Sequence, residues 1–372
     1  MTNQQRPDRP IRVGLIFGGA SSEHGVSCLG AAGVVRAIDT DRYQVTGIGV
    51  ATDGRWTRVA PADIERLRIV DGRLPELDGT GPEVALVPTA NGPVLAMTDG
   101  SGSEPLDVAM IIMHGPGGED GTVQGVCETA GLRYTGSGVA ASAVCMDKHL
   151  MKLMLKAAGV PVGPFVVITP EEWTTDRAAA LDAVGALTLP VFVKPARAGS
   201  SRGISRVATA GELPAAIEEA RRHDPKVIIE EGFVDARELE CGVLQGPDGP
   251  PRVSVVGEVI MHGKDGFYDY ESKYTPGDEV SIQVPAEVPD DVTERLQQQA
   301  LRVFELLGCE GLARVDSFLT REGRVMINEI NTLPGFTPTS MFPKVFEAGA
   351  IDFAEQIDTL VSQALGRPAG LR

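Results

Sequence analysis

The chain has 372 residues, a length that accommodates two or three domains. Hydrophobic residues make up 42% of it and charged residues 23%, which is typical of a soluble globular protein and excludes a largely disordered, collagenous or coiled-coil chain. The formal net charge of −17 argues against nucleic acid and anionic membrane surfaces as partners, because so acidic a surface repels them. A small anionic ligand would require basic side chains gathered in one pocket.

Five cysteines are spread along the sequence, and no two have C-x-x-C spacing. Their odd number and wide spacing argue against a disulfide framework or a zinc site and favour a reducing compartment. The first ten residues are polar and lack the apolar centre of a secretion signal. No apolar run approaches the roughly 20 residues of a membrane-spanning helix. We therefore predict a cytoplasmic protein that does not enter a membrane.

The first part of the sequence alternates apolar strands, glycine-rich loops and helical periodicity. Strands are predicted over residues 11–17, 43–50 and 105–113, and a helix over 26–38. This alternation is typical of a parallel α/β domain. Residues 71–105 are rich in Gly, Pro, Asp and Ser, and we interpret them as a surface excursion with room for a hairpin.

The pattern changes after residue 146 to a mixture of short strands and helices, so the predicted fold class is α/β at the start and α+β afterwards. We predict three domains, over residues 11–145, 146–232 and 233–372. The later predicted elements are a helix ending near 158, strands over 165–168, 190–194, 204–207 and 226–230, helices over 176–186 and 211–222, a strand-rich stretch over 238–283 with a loop at 262–277, a helix over 290–307, and strands over 311–319 and 324–330.

Acidic and amide side chains are concentrated in two consecutive predicted strands. Glu329 and Asn331 are two residues apart in one strand and therefore point to the same face. Arg314 and Asp316 join that face if the hairpin loop is centred between residues 321 and 322, whereas a bulge at Gly323 would reverse them. Three oxygen ligands, completed by water and phosphate, suit Mg²⁺. The alternative is a solvated edge strand with scattered charge.

A strand that ends in Lys194 leads into a loop of small residues containing Gly199, Ser200 and Ser201. Such a loop lets backbone N–H groups approach phosphate oxygens while the lysine supplies charge. Lys148 and Lys273 could converge on the same phosphates. The alternative is a flexible hairpin turn that happens to contain serines.

Two further polar segments follow predicted strands. Glu23 precedes the first helix, where it could bind an ammonium group or only cap the helix. His114 opens a glycine-rich loop at the carboxyl end of a strand, where ligand sites of α/β sheets lie, although a lone histidine is more often structural. Residues 136–141, GSGVAA, match a dinucleotide-binding pattern only weakly, because no acidic residue follows at the required distance.

Taken in order, several motifs resemble the D-alanine:D-alanine ligase family of the ATP-grasp superfamily. They are HGPGGEDGTVQG, MDK, VKPARAGSS, FYDYESKY, ARVD and INEINTLPGFT, spread over nearly the whole chain. The resemblance implies an N-terminal parallel α/β domain followed by a two-domain ATP-grasp fold, ATP as a substrate, two Mg²⁺ or Mn²⁺ ions, a cytoplasmic location and a homodimer.

The resemblance also implies roles for individual residues. Which of Glu230 and Glu231 lies on the adenine side stays open, because this segment is one residue longer than the family pattern. The implied metal ligands are Asp316, Glu329 and Asn331. The implied nucleotide-binding residues are Lys148, Lys194, Ser200, Ser201, Glu230, Glu231, Val234, Glu238, Lys273 and Asn328. The implied catalytic residues are Glu23, Ser200, Tyr274, Arg314 and Gly335, and the implied substrate-binding residues are His114, Lys273, Ser340 and Met341.

The implied reaction joins two D-alanines through an acyl phosphate for peptidoglycan precursor synthesis. The alternatives are a D-alanine:D-lactate or other ATP-grasp carboxylate–amine ligase, a dinucleotide-binding oxidoreductase resting on GSGVAA, and a binding module without activity. Tyr274 resembles the dipeptide-forming type, which favours D-alanine as the second substrate.

Overall fold

The computed structural model describes residues 9–199, 202–262 and 280–367. Its strands are β1 Ile11–Gly18, β2 Tyr43–Val50, β3 Trp56–Val59, β4 Val84–Val87, β5 Val94–Met97, β6 Ser103–Pro105, β7 Val108–Met113, β8 Arg133–Tyr134, β9 Phe165–Ile168, β10 Val191–Pro195, β11 Ser205–Val207, β12 Val227–Glu231, β13 Arg237–Leu244, β14 Arg252–Met261, β15 Val280–Gln283, β16 Leu312–Leu319 and β17 Val325–Asn331. Its helices are α1 His24–Ala37, α2 Pro61–Glu65, α3 Thr122–Ala130, α4 Val139–Met146, α5 Lys148–Ala157, α6 Pro170–Thr175, α7 Arg177–Val184, α8 Leu213–Arg221, α9 Asp290–Leu306, α10 Met341–Glu347 and α11 Phe353–Gly366.

The N-terminal sheet has the strand order β3-β2-β1-β7-β8. Its four strands β2, β1, β7 and β8 are parallel, and the short β3 adds an antiparallel edge. All side chains of β7 are buried, as expected for a strand covered on both faces. The prediction of a parallel α/β arrangement here is confirmed, although β3 and α2 were not predicted.

The predicted surface excursion contains more regular structure than a hairpin. Strands β4, β5 and β6 form an antiparallel three-stranded sheet of their own. Its strands are three or four residues long and largely exposed, apart from Val84 and Leu95. Such short strands give a weak periodic signal, which is why only a hairpin was predicted.

Two further sheets follow. The central sheet, ordered β11-β10-β12-β9, is antiparallel, and the C-terminal sheet, ordered β15-β14-β13-β16-β17, is antiparallel as well. The strands predicted with limits of their own, which are β9 to β12, β16 and β17, lie within one residue of their observed limits, because each is a short apolar run bounded by Gly, Pro or charged residues. Strands β13, β14 and β15 were predicted only as a strand-rich stretch over 238–283.

The hydrophobic cores do not follow chain order. Met151 and Leu155 of α5 pack in one core with α9 and the C-terminal sheet. Phe342 of α10 and Leu360 of α11 belong instead to the core of the N-terminal sheet. The two C-terminal helices therefore pack against the N-terminal part of the chain. The domain limits given above remain predictions.

Among the described helices, none is long and apolar enough to cross a membrane.

Candidate active site

A large cavity of about 710 Å³ lies where the N-terminal, central and C-terminal sheets approach one another. It is lined by both acidic and basic side chains, which come from positions between Glu23 and Met341 and are therefore far apart in the sequence. The sequence-predicted residues that line it are Glu23, His114, Lys148, Lys194, Glu230, Glu231, Glu238, Arg314, Asn328, Glu329, Asn331, Gly335, Ser340 and Met341.

Of the other predicted residues, two are described but do not line the cavity, and four lie outside the described part of the chain. Val234 is 60% exposed and does not line the cavity, whereas its neighbour Phe233 does, and the nucleotide-binding role of Val234 stays a prediction. Asp316 is only 2% exposed and lies against cavity-lining neighbours. The predicted residues outside the described part of the chain are Ser200, Ser201, Lys273 and Tyr274.

The β16–β17 hairpin brings its polar side chains to one face through a bulge. Next to the turn, Leu319 pairs with Val325, which centres the turn on residue 322 rather than between 321 and 322. Continued without interruption, this register would turn Glu329 to the opposite face from Asp316. The register shifts by one residue beside Asn328, so that Asp316 pairs with Glu329. The predicted common face is therefore correct, but for a different reason.

Ion pairs join this face to the neighbouring elements. Arg314 donates two hydrogen bonds of 2.7 Å to the carboxylate of Asp316 and lies 2.8 Å from Glu240 on β13. Burial alone would lower the pKa of Arg314, but the carboxylates of Asp316 and Glu240 outweigh it and raise that pKa well above its ordinary value. The guanidinium is therefore permanently charged inside the cavity.

Lys148, the first residue of α5, crosses the cavity to β17. Its Nζ lies 3.0 Å from the carboxylate of Glu329 and donates to the carbonyl oxygen of Ala198 at 3.1 Å. Burial would lower the pKa of Lys148, but Glu329 reverses the effect and raises it. One lysine thus links the metal-ligand candidates to the start of the glycine–serine loop.

The side chains of Asp316, Glu329 and Asn331 fit a divalent cation. They offer hard oxygen donors on adjacent strand positions, and Asn331 already donates to Asp316 at 2.9 Å, which shows how close their tips lie. In the part of the chain that the structure describes, no three His, Cys, Asp or Glu side chains form a metal-binding group. The set supplies two carboxylates and an amide, so phosphate oxygens and water would have to complete the coordination.

A second charged cluster lies between α5 and the central sheet. One oxygen of Glu230 is 2.6 Å from Lys152 and the other is 2.6 Å from Lys194. Burial would raise the pKa of Glu230, but the two lysines lower it to about 2. Glu231 points the other way and accepts a hydrogen bond from the backbone of Thr188. Of the two glutamates, Glu230 is the one that faces the cavity lysines.

Glu23 sits at the start of α1 but makes no capping hydrogen bond with that helix. Its side chain packs instead against two backbone segments, because a Cβ added to Gly115 would come within 2.6 Å of its Oε2 and one added to Gly199 within 2.7 Å. The alternative that Glu23 only caps a helix is therefore not supported. Its carboxylate lies beside the loop that enters Ser200.

We expect Gly115→Ala to raise, by about tenfold or more, the KM of the substrate whose ammonium group Glu23 is predicted to bind, because the new methyl group would push the Glu23 carboxylate from its position. Gly117→Ala is the matched control: Gly117 also has a positive φ of 87°, compared with 70° at Gly115, but nothing lies within 4 Å of its added Cβ. Both variants carry about 1–2 kcal/mol of backbone strain, so only the difference between them reports the contact with Glu23. Equal KM values in the two variants would contradict it.

His114 is buried, and its Nδ1 lies 2.9 Å from the carbonyl oxygen of Leu333. Because a carbonyl only accepts, Nδ1 carries the hydrogen and Nε2 is an acceptor. Burial lowers the pKa of His114, which keeps the ring neutral. At the far wall, Ser340 precedes α10, and its Oγ would be 3.1 Å from a Cβ on Gly335.

Family models match both halves of the chain. The model described as D-ala D-ala ligase N-terminus matches residues 12–137, and that described as D-ala D-ala ligase C-terminus matches residues 154–362. The chain belongs to the D-alanine–D-alanine ligase family.

Individual family members are similar over their full length. The D-alanine–D-alanine ligase of Mycolicibacterium smegmatis is 48% identical over 381 residues and that of Kineococcus radiotolerans 47% over 383 residues, with all of both chains covered in each case. Among solved structures, the D-alanine–D-alanine ligase of Coxiella burnetii has a TM-score of 0.81 at 29% identity, covering 96% of this chain and 94% of that one. A D-Ala:D-Ser ligase from Enterococcus faecalis has a TM-score of 0.81 at 33% identity, covering 96% and 100%. The ATP-grasp fold and a ligase activity are thereby confirmed. Neither the D-alanine:D-lactate or other ATP-grasp ligase alternative nor the oxidoreductase alternative is favoured.

Lys152, Glu240 and Glu119 are among the cavity residues that the sequence analysis missed. Lys152 follows Lys148 by one helical turn, and Glu240 follows Glu238 by one strand repeat, so both could have been found from spacing. Glu119 lies in an irregular loop and has no periodic signal. Burial, and then the nearby Glu23, raise the pKa of Glu119 to about 8.

Proposed function

We propose that this chain carries out the ATP-dependent ligation of two D-alanines to D-alanyl-D-alanine, in the cytoplasm and as a homodimer, for peptidoglycan precursor synthesis. The observation that carries this proposal is the single cavity in which buried lysines, the carboxylate–amide face of β16–β17 and Glu23 are brought together in a chain of this family. A chain with a net charge of −17 gathers cations only where an anion must be held.

The nucleotide occupies the cleft between the central and C-terminal sheets. Lys148 and Lys194 bind its phosphates, and the family resemblance assigns Ser200, Ser201 and Lys273, which lie outside the described residues, to the same phosphates. Glu230 takes the adenine side, supported by its pairing with Lys194, while Glu238 holds the ribose and Asn328 lines the cavity near the phosphates.

Two Mg²⁺ or Mn²⁺ ions would be held by Asp316, Glu329 and Asn331. When bound, they offset the charge of the transferred phosphoryl group. Arg314 pairs with both Asp316 and Glu240, and Glu240 at 2.8 Å would hold the guanidinium in place while Asp316 coordinates a cation.

In the first step, a carboxylate oxygen of the first D-alanine attacks the γ-phosphorus of ATP, forming an acyl phosphate as the bond to ADP breaks. Glu23 holds the ammonium group of this substrate, and His114 lines the same cavity. The family resemblance assigns Ser200 and Tyr274 to the same ammonium-binding group. Closure of the glycine–serine loop excludes water, which would otherwise hydrolyse the acyl phosphate.

In the second step, the neutral amine of the second D-alanine attacks the carbonyl carbon, the carbon–oxygen bond to phosphate breaks, and the amine proton leaves with the inorganic phosphate. Arg314 and the backbone N–H of Gly335 stabilise the oxyanion of the tetrahedral intermediate. Ser340 binds the carboxylate of the second substrate, and Met341 forms the adjacent wall. The direct test is D-alanine-dependent release of phosphate from ATP together with formation of the dipeptide.

A further inference from the structure

The carboxyl group of Glu119 connects two loops that are far apart in sequence. Its Oε2 accepts a hydrogen bond of 2.8 Å from the backbone N–H of Gly115, and its Oε1 accepts one of 3.1 Å from the backbone N–H of Leu333. The side chain is 9% exposed and lines the cavity. Each oxygen is therefore committed to a different loop.

Both loops carry groups of the first D-alanine subsite. Gly115 is the residue against which the Glu23 carboxylate packs, and Leu333 lies two residues before Gly335, the proposed oxyanion donor. The carbonyl oxygen of Leu333 accepts from Nδ1 of His114. The peptide groups of Leu333 are thus held on both sides by the 114–119 loop.

We infer that Glu119 is a positioning residue that fixes the 114–119 loop and the 332–335 loop in one arrangement, so that Glu23, the Nε2 of His114 and the N–H of Gly335 face the same substrate. Glu119 itself does not touch the substrate. This inference rests on the proposed function, because the groups that it aligns are those assigned to the first D-alanine.

The alternative explanation is that Glu119 only accepts hydrogen bonds from two buried N–H groups. Losing these hydrogen bonds would then lower the stability of the protein without a selective effect on substrate binding. Asp120 offers a matched comparison for this explanation. Its carboxylate also accepts two backbone hydrogen bonds, from Gly117 at 2.9 Å and Thr122 at 3.0 Å, but both donors lie within three residues of Asp120 in sequence.

The test compares Glu119→Gln with Asp120→Asn, each of which removes one negative charge and keeps the side-chain volume. Glutamine retains one acceptor but turns an NH₂ group towards a backbone N–H, so one of the two loops is released. We expect Glu119→Gln to lower kcat by about 10- to 100-fold and to raise the D-alanine KM, while the ATP KM stays within about twofold. Asp120→Asn should keep all three constants within about twofold of the wild type.

A second variant separates the effect of the charge of Glu119 from that of the length of its side chain. Glu119→Asp keeps the charge, but its shorter side chain cannot contact both loops, so we expect it to be impaired as well. Assays at a pH of about 8.5, above the pKa of Glu119 of about 8, favour the ionised form of the wild-type carboxyl. Full activity of Glu119→Asp, or equal losses in Glu119→Gln and Asp120→Asn, would overturn the inference, as would failure of both Glu119 variants to fold.

Thermal shifts with D-alanine alone provide a readout that does not need turnover. D-Alanine should raise the Tm of the wild type and of Asp120→Asn but have a much smaller effect on Glu119→Gln, whereas ATP should stabilise all three. An undiminished D-alanine shift in Glu119→Gln would contradict the positioning role. If the wild type forms no dipeptide from ATP and D-alanine, it is the proposed function that fails.

Discussion

Glu329→Gln is expected to lower kcat by about 100-fold or more while the protein still unfolds in one cooperative transition. The substitution preserves the shape of the side chain but removes the charge of a carboxylate that lies opposite Asp316 and 3.0 Å from Lys148. Stabilisation of phosphoryl charge by a bound divalent cation is worth several kcal/mol, and each 1.36 kcal/mol is tenfold in rate. The measurement is steady-state kinetics over a range of Mg²⁺ concentrations, with thermal unfolding of the same preparation.

Glu322→Gln is the matched control for this prediction. Glu322 lies at the exposed turn of the same hairpin, and its substitution changes the net charge by the same amount. Its kcat should stay within about twofold of the wild type. Near-normal turnover of Glu329→Gln at ordinary Mg²⁺ would remove Glu329 from the proposed metal ligands.

Lys152→Met is expected both to destabilise the protein and to weaken ATP binding. The Lys152–Glu230 pair is almost completely buried, with side-chain exposures of 3% and 8%, and breaking such a pair costs about 3–5 kcal/mol. Burial lowers the pKa of Lys152, so the lysine depends on this carboxylate to stay charged. With one lysine gone, Glu230 is held only by Lys194, and we expect the ATP KM to rise about tenfold with little change for D-alanine.

Lys156→Met makes the same chemical change one turn further along α5, at an exposed position. Its free energy of unfolding and its ATP KM should remain close to those of the wild type, since exposed charges contribute little. An ATP KM in Lys152→Met equal to that in Lys156→Met would exclude a role for Lys152 in holding Glu230 for the nucleotide.

The order of the elements was predictable because most of them are short apolar runs with clear boundaries. The face shared by Asp316 and Glu329 followed from strand periodicity, but the bulge beside Asn328 that makes it true leaves no trace in the hydrophobic pattern. The choice between Glu230 and Glu231 also needed the structure, because adjacent strand residues face opposite ways and both glutamates are chemically equivalent in sequence.

Residues in irregular loops were the hardest to place. Glu119 acts through two backbone groups more than two hundred positions apart, and no local pattern reports such a contact. Val234 was assigned by resemblance in a segment one residue longer than the family pattern. In the structure Phe233 lines the cavity and Val234 does not, and the role of Val234 stays a prediction. Spacing predicts which residues share a strand or helix face, but the path of a loop depends on what it packs against.

The most direct test of the proposed function is phosphate release from ATP at neutral pH, with D-alanine, L-alanine, D-serine and D-lactate offered separately and in mixtures, and with the products identified by mass spectrometry. We predict release with D-alanine alone, none with L-alanine alone, and D-alanyl-D-alanine as the main product of every mixture that contains D-alanine. Phosphate release independent of D-alanine would contradict the assigned activity. A predominance of D-alanyl-D-lactate or D-alanyl-D-serine would contradict D-alanine as the second substrate and the interpretation of Tyr274.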